Sequence, residues 1–356
     1  MRPGPSTEAL AAAVGQGARL TSFRGAQVLY RGLPASSVTV EADVDRVMST
    51  RLQFTVPTDL EPDGPGGAVA NWGQRIFVES LLELDGDRIA IPYGWYLIQE
   101  PEGEDDGIAV TAHDLTQIIV DNPNPWPSSP PAGATVYSEA RRLVESTRIG
   151  MGLPMIAEFR DRSIPRTTQW GVDRLEALRD LCESYGLAYG VKPDGYLHIW
   201  EQPAKAQPTA FYSEANLLVS ATSKARERIP NRWIVAGSPQ GDDSVKWTSV
   251  IENFGGDYAP NLYGVITDRR EFNAATSADA VRKAAETYQA KALAEKGVRS
   301  IEIPFDPRLE LHDDIRARVS RPDGGVEYIT GRVTALAASL DAPDQTMRVD
   351  VKELYW

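Results

Sequence analysis

The sequence predicts an α+β protein, mainly antiparallel β, in which two β-barrel domains flank a small α/β domain. Three observations predict it. Apolar and polar residues alternate at a period of two over residues 21–120 and again over 211–356, the period between them lengthens toward that of a helix, and a dense proline cluster marks the first change.

Residues 1–20 read as an N-terminal arm, because Met1-Arg2-Pro3-Gly4-Pro5 leads only into a short apolar run, Ala9 to Val14, preceded by Glu8. That run is too short for a membrane span, and it has no secretory-signal pattern. The first β domain, 21–120, is carried by Ser37-Val38-Thr39-Val40-Glu41, Arg51 to Val56, Gln74 to Val78 and Gly94 to Ile98. Each run alternates, as half-buried antiparallel strands do. Asp85-Gly86-Asp87 predicts a tight hairpin, and Pro57 to Asn71, with Pro62, Pro65 and three glycines, predicts a surface loop.

Between residues 121 and 135 stand Pro123, Pro125, Pro127, Pro130 and Pro131, which forbid a helix and remove ladder donors, so a linker is expected there. The small α/β domain follows over 136–210. Ser138 is read as the cap of a helix with Ala140, Leu143, Val144 and Thr147 on one face and Gly150 as its stop. A second helix has Asp173 and Glu176 in capping-box spacing, an apolar stripe of Leu175, Leu178, Leu181, Cys182 and Tyr185, and Gly186 at its end. Pro193-Asp194-Gly195 then joins two strands as a hairpin.

From 211 to 356 the strand pattern returns, as in Leu217-Leu218-Val219 and Arg232 to Ala236. One inserted helix, about 277–296, interrupts it, with Val281, Ala284, Ala285, Tyr288 and Ala292 on one side and Gly297 after its last turn. Turns are expected at Pro322-Asp323-Gly324-Gly325 and Asp341-Ala342-Pro343-Asp344.

Composition narrows the function classes. A chain of 356 residues with 42% hydrophobic and 24% charged residues is globular and long enough for two or three domains. A net charge of −13 opposes sequence-reading nucleic-acid binding, which needs clustered cations, yet suits a surface past which nucleic acid must slide. The lone cysteine, Cys182, rules out an intrachain disulfide framework and falls on a buried helix stripe, where it reads as a small hydrophobe.

No catalytic, cofactor or metal residue is assigned. The three histidines, His113, His198 and His312, stand in separate contexts without metal-ligand spacing. Phosphate loops are absent, since Gly15-x-Gly17 lacks its third glycine. The stretch Glu102-Gly103-Glu104-Asp105-Asp106-Gly107 imitates the start of a calcium loop, but His113 stands where a bidentate glutamate is needed, so it reads as a solvated hairpin tip. Carboxylate pairs that could hydrolyse a glycoside are not distinguishable among 50 acids. Of the eight tryptophans (72, 95, 126, 170, 200, 233, 247 and 356), Trp126 alone is framed by prolines; it reads as a docking residue for a neighbouring domain or subunit, and the rest as core or interface anchors.

The last strands echo the first. Trp72 to Val78, Gly94 to Ile98 and Ile108 to Thr111 run parallel to His312 to Arg318, Tyr328 to Val333 and Met347 to Val351. If that echo is a duplication, three chains make a ring of six similar units.

The same residues carry a resemblance. Trp72-Gly73-Gln74-Arg75-Ile76, Ile91-Pro92-Tyr93-Gly94-Trp95-Tyr96-Leu97-Ile98, Val110-Thr111-Ala112-His113-Asp114, Ile229-Pro230-Asn231-Arg232-Trp233-Ile234-Val235-Ala236-Gly237, and Leu309 to Ile315 with Met347-Arg348-Val349 are diffuse strand-and-turn patterns over nearly the whole chain. In this order the sequence resembles the tail hub proteins of long-tailed phages, often called minor tail proteins, and the related central baseplate hub of contractile-tailed phages. The resemblance implies a virion structural protein rather than an enzyme. It implies a homotrimer at the tail tip, with two tail-tube-like barrels per chain matching the sixfold distal tail protein or tube ring. The tape-measure protein and other tail-tip proteins would be its partners, and viral DNA would pass without sequence-specific binding. Family members often carry a wall-degrading or receptor-binding extension after the second barrel; the chain ends at Trp356, so neither is expected on it. Two other readings stay open, a tail-associated cell-wall hydrolase and a carbohydrate-binding receptor-recognition protein.

Overall fold

The computed structural model describes residues 1–13, 15–60, 64–84, 86–104, 107–145, 153–164, 168–203, 205–215, 217–223, 229–237, 246–271, 277–294, 297–321, 324–342 and 346–354. The expectations placed on Val14, Pro62, Asp85, Asp105–Asp106, Thr147, Gly150, Lys296, Pro322–Asp323, Pro343–Asp344 and Trp356 lie outside them. A short helix, α1 (Thr7–Ala11), precedes strands β1 (Gly15–Arg24), β2 (Gln27–Arg31), β3 (Ser36–Asp43), β4 (Thr50–Val56), β5 (Gln74–Leu84), β6 (Asp87–Glu104) and β7 (Gly107–Asp114). Then come α2 (Gln117–Val120), α3 (Val136–Glu145), β8 (Met155–Glu158), α4 (Arg174–Tyr185), β9 (Leu187–Val191) and β10 (Leu197–Glu201). The remainder holds β11 (Ala210–Ser213), β12 (Ser220–Ser223), β13 (Arg232–Gly237), β14 (Trp247–Glu252), α5 (Pro260–Tyr263), β15 (Thr267–Glu271), α6 (Ala278–Ala294), β16 (Val298–Pro304), β17 (Asp314–Ser320), β18 (Val326–Ser339) and β19 (Thr346–Glu353).

Strict alternation decides the main layer. In β3, β4 and β7 the residues Val38, Val40, Ala42, Leu52, Phe54, Val56, Ile108, Val110 and Ala112 are buried while their neighbours face out. Ile301, Ile303, Leu336, Ala338, Met347 and Val349 are buried too, with Ser300 and Asp350 buried beside them, and all of the apolar residues named join one cluster. Burying one Leu or Ile side chain there is worth about 1.5–3 kcal/mol.

The α+β, mainly antiparallel character expected from the sequence is what forms. The two barrels are not seen as separate closed bodies: pairing runs in an open path β12-β16-β19-β18-β3-β4-β7-β6-β5-β1-β2, with β17 on β18 and β11 on β17, as one 13-stranded sheet. The joint is β18 against β3, from Ala335↔Asp43 to Ser339↔Thr39. β1 begins at Gly15, earlier than the end of the expected arm at residue 20, because Gly15 to Ala18 pair with Ser80 to Glu83 despite a glycine-rich sequence without strand alternation.

The echo in the sequence becomes a repeat in topology. β3, β4, β5, β6 and β7 lie in the spatial order β5-β6-β7-β4-β3, all antiparallel. β12, β16, β17, β18 and β19 lie in the order β17-β18-β19-β16-β12, again all antiparallel. The register agrees where β6 meets β7 and β18 meets β19, although β6 carries a further extra residue, Tyr93, against β5 that β18 lacks against β17. Gln99 is an extra residue in β6 between Ile98↔Ala112 and Glu100↔Thr111, and Thr334 is an extra residue in β18 between Val333↔Val351 and Ala335↔Asp350. The units diverge outside this frame: β1 adds to β5 antiparallel, whereas β11 adds to β17 parallel.

Two smaller cores complete the chain. In the α/β part, β8-β10-β9 form a sheet under α3 and α4, with Leu143, Val144, Leu178, Leu181 and Cys182 buried. Asp173 caps α4 by accepting from the Glu176 amide at 2.9 Å, and Gly186 ends it at φ +68, as expected. For α3 the cap is Thr135, three residues before the expected Ser138: the Ser138 amide donates to Thr135 Oγ1 and the Thr135 amide donates to Ser138 Oγ, a reciprocal box. The stretch between β12 and β16 is more than a helix. There β14-β13-β15 form their own sheet, on which Val281 and Ala285 of α6 pack against Val235.

Candidate assembly surface

The joint between the repeats is built from ordinary strand chemistry. The Leu340 amide donates to the Val38 carbonyl at 2.8 Å and the Val44 amide to the Thr334 carbonyl at 2.9 Å. Asp341 Oδ1 accepts from the Val38 amide at 3.0 Å, and Gln16 Nε2 donates to the Ser339 carbonyl at 2.6 Å. Leu336 and Ala338 from one side meet Val40 and Ala42 from the other in the common core.

Two edges equivalent to this joint carry no strand among the described residues. β12 ends the sheet, pairing only with β16. β6 pairs with β5 only as far as Leu97, so Glu100 to Glu104 pair with β7 and leave their other side open. On that open stretch Glu100, Glu102 and Gly103 are exposed. The expected solvated tip was Glu102 to Gly107; Glu102 to Glu104 instead extend β6, an extension that Pro101 and Gly103, poor strand residues, hide in the sequence.

A polar junction fixes the α/β part to both repeats. Arg2 lies 4.0 Å over the Tyr93 ring and donates to the carbonyls of Pro307 at 3.0 Å and Leu309 at 2.7 Å. Lys192 Nζ donates to Glu310 Oε2 at 3.0 Å and sits 4.9 Å over the Trp200 ring. Burial alone would raise the Glu310 pKa, but Arg2 and Lys192 outweigh it and hold the carboxyl below its usual range. Asp114 is also buried; desolvation lifts its pKa against the hydrogen bonds it accepts from Thr116 and the Thr50 amide. The recess lined by Arg2, Tyr93, Asp114, Lys192, Glu310 and His312 measures about 60 Å³. That volume suits a few waters, against roughly 300–1,000 Å³ for ligand pockets.

The histidines do not converge. His113 Nδ1 lies 3.0 Å from Gln117 Oε1, His198 Nε2 lies 2.8 Å from Asp194 Oδ2, and His312 Nδ1 accepts from Gln202 Nε2 at 2.9 Å. Among the described residues no group of three or more His, Cys, Asp or Glu side chains has metal-binding geometry. Burial pushes the Cys182 thiol up to about 12, consistent with a packing role. Trp95 packs at a tilt against Phe23 and Phe77 and donates to the Pro193 carbonyl at 3.0 Å, tying the first repeat to the α/β hairpin. Trp170 donates to Glu139 in the core of that part, and Trp233 is fully buried. Trp126 is 74% exposed and Trp72 60%. No helix among the described residues is long and apolar enough to cross a membrane.

The fold as a whole, a mainly antiparallel sheet with an α/β part, is similar to that of solved phage tail proteins. The chain superposes on the tail protein from Neisseria meningitidis MC58 with a TM-score of 0.65 and 14% identity, covering 95% of this chain and 97% of that one. It superposes on the 43 kDa tail protein of prophage MuSo2 from Shewanella oneidensis with a TM-score of 0.58 and 12% identity, covering 94% and 98%. The prophage tail protein gp18 from Listeria monocytogenes EGD-e gives 0.55 and 9%, covering 94% of each chain. No family model and no curated protein sequence matches the chain.

Proposed function

We propose that the chain is a structural hub at the distal tip of a phage tail, acting through assembly rather than catalysis. Three copies form a ring that offers six equivalent β units to the sixfold tail tube or distal tail ring, encloses the path of the ejected DNA and meets the tape-measure protein and other tail-tip proteins. The observation that carries this reading is the repeat: two five-stranded units share strand order, strand direction and the position of a one-residue bulge. A duplicated unit lets a threefold assembly seat on a sixfold neighbour. The tail-protein fold supports a place in the virion.

The sheet face opposite the core is polar and mixed in charge, with Arg51 held on Glu41 at 3.0 Å and Arg348 on Asp350 at 3.3 Å. Paired cations do not grip phosphates, so this face suits a lumen through which DNA slides. Native mass measurement tests the proposal: a trimer is expected, and a chain that remains monomeric and fails to join tail tips overturns it. Exposed Trp72 and Trp126 are the feature that favours the carbohydrate-binding reading. Quenching of indole fluorescence by a cell-wall glycan, lost in Trp72→Ala or Trp126→Ala, would support that reading instead.

A further inference from the structure

We infer that copies of this chain join strand to strand, the open edge of Glu100 to Glu104 in one copy pairing antiparallel with β12 of the next. The inference rests on the hub reading and adds the surface that holds the ring. Its template lies inside the chain, where β18 of the second repeat pairs with β3 of the first. In a ring of equivalent units each such strand meets the corresponding strand of the next unit. One of these joints is internal, so the other must form between chains, from β6, the counterpart of β18, to β12, the counterpart of β3.

The matching bulges set the register. Val333 corresponds to Ile98, so Ala338 and Ser339 correspond to Gly103 and Glu104. Through their partners on β16 and β4, Thr222 and Ser223 correspond to Thr39 and Val40. The internal pairs Ser339↔Thr39 and Ala338↔Val40 therefore become Glu104 opposite Thr222 and Gly103 opposite Ser223 of the neighbouring copy.

The two edges differ in character: Glu100 and Glu102 are exposed along one, and the other, Ser220 to Ser223, is a short run of small residues. The bond from the Leu340 amide to the Val38 carbonyl sets the alternation on β18, so the Leu336 amide points at β3. Pro101 stands at the equivalent place and has no amide hydrogen to offer. One ladder bond is thus missing from the open edge while the Pro101 carbonyl and both backbone groups of Gly103 face outward, which blunts indiscriminate pairing before assembly without preventing the specific joint.

Cysteine cross-linking tests the register, and buried Cys182 gives a quiet background. Glu104 and Thr222 copy Ser339 and Thr39, a non-hydrogen-bonded pair, in which Cα atoms lie about 4.5 Å apart, within disulfide range. Under mild oxidation E104C/T222C should give a closed covalent trimer that reverts on reduction. Mixed E104C and T222C single variants should give dimers that neither gives alone, and the out-of-register pair E104C/S220C should give none. Native mass of the same uncross-linked samples separates the failures. A trimer without the in-register disulfide, or with equal cross-linking out of register, overturns this joint and leaves the hub reading standing; a persistent monomer overturns the hub reading itself.

Discussion

Gln99 and Thr334 hold the same place in the two repeats: each is the one extra residue that its strand carries against β7 or β19, one step after the pairs Ile98↔Ala112 and Val333↔Val351. A bulge shifts every later side chain by one position, so it decides which face of the strand enters the core. Its recurrence in equivalent strands is harder to reach by chance than a shared strand order.

Deleting Thr334 should therefore unfold the second repeat, because the shift carries Leu336 and Ala338 out of the core and turns Ala335 and Ala337 inward. Loss of the Leu336 burial alone is worth about 2–5 kcal/mol. Thr334→Ala keeps the residue count and loses one hydrogen bond, Thr334 Oγ1 to the Asp350 carbonyl at 3.3 Å, for about 1 kcal/mol or less. Urea unfolding of the two variants checks this; equal stabilities would show that register is set elsewhere.

Gly331 should tolerate no side chain. A Cβ there would lie 2.1 Å from the Lys352 carbonyl oxygen and 2.7 Å from its carbon, both backbone atoms of the paired strand. Gly331→Ala should cost about 3 kcal/mol, at the upper end of overpacking effects. Gly171→Ala, with nothing within 4 Å, should stay within about 0.5 kcal/mol of the parent. A thermal melt of each reads the difference.

Acid should weaken the protein partly through His312. Burial chiefly, then Arg332 and Lys192, lower its pKa from 6.5 to about 4, with Asp314 opposing, while Trp200 stacks edge-on at 5.7 Å. The folded value lies below the unfolded one, so between these values the unfolded chain binds a proton that the native protein does not. This contribution is complete above pH 6.5 and is lost as pH falls toward 4, about 3 kcal/mol at most. Asp114 and Asp313, whose pKa values burial raises, act in the opposite direction. The readout is therefore the difference between parent and His312→Asn, a replacement that accepts the left-handed φ of +69. Denaturant unfolding at pH 7.5, 6 and 5 should show a shallower slope for the variant; parallel slopes would remove His312 from the account.

Local signals carried most of the fold. Alternation located β3, β4, β7 and β19, and Asp173 and Gly186 located both ends of α4, because each depends on residues a few positions apart. The β18–β3 joint was invisible for the opposite reason: alternation shows that β3 is a strand but not which strand it pairs with, and Ala335 to Ser339 on β18 lie almost 300 residues away in sequence. The sheet of β13, β14 and β15 went unread because its strands resemble those around it and its small core comes from α6, further along the chain. The open edge at Glu100 to Glu104 lay under a charge run that looks the same whether it is a solvated tip or a strand awaiting a partner.

The last prediction concerns how residues 1–11 are held. Asp306 has no exposed surface and accepts from Tyr212 Oη at 3.0 Å, from Arg308 Nε at 2.9 Å and from Arg308 Nη2 at 2.7 Å, while Arg308 Nη1 donates to the Pro5 carbonyl at 2.7 Å. Removing either charge leaves the other buried without its counterion, so Asp306→Asn and Arg308→Met should each cost about 3–5 kcal/mol. Removing both leaves neither, so the double variant should cost well under the sum, with a coupling of about 2 kcal/mol or more. Tyr212→Phe takes one hydrogen bond from the charged acceptor and should cost about 1.5–3 kcal/mol. Because Arg308 also holds Pro5, Arg308→Met should expose residues 1–11 to limited proteolysis under conditions where Tyr212→Phe does not. Additive single costs, or unchanged cleavage in Arg308→Met, would show that the arm is held by Arg2 and Tyr93 instead.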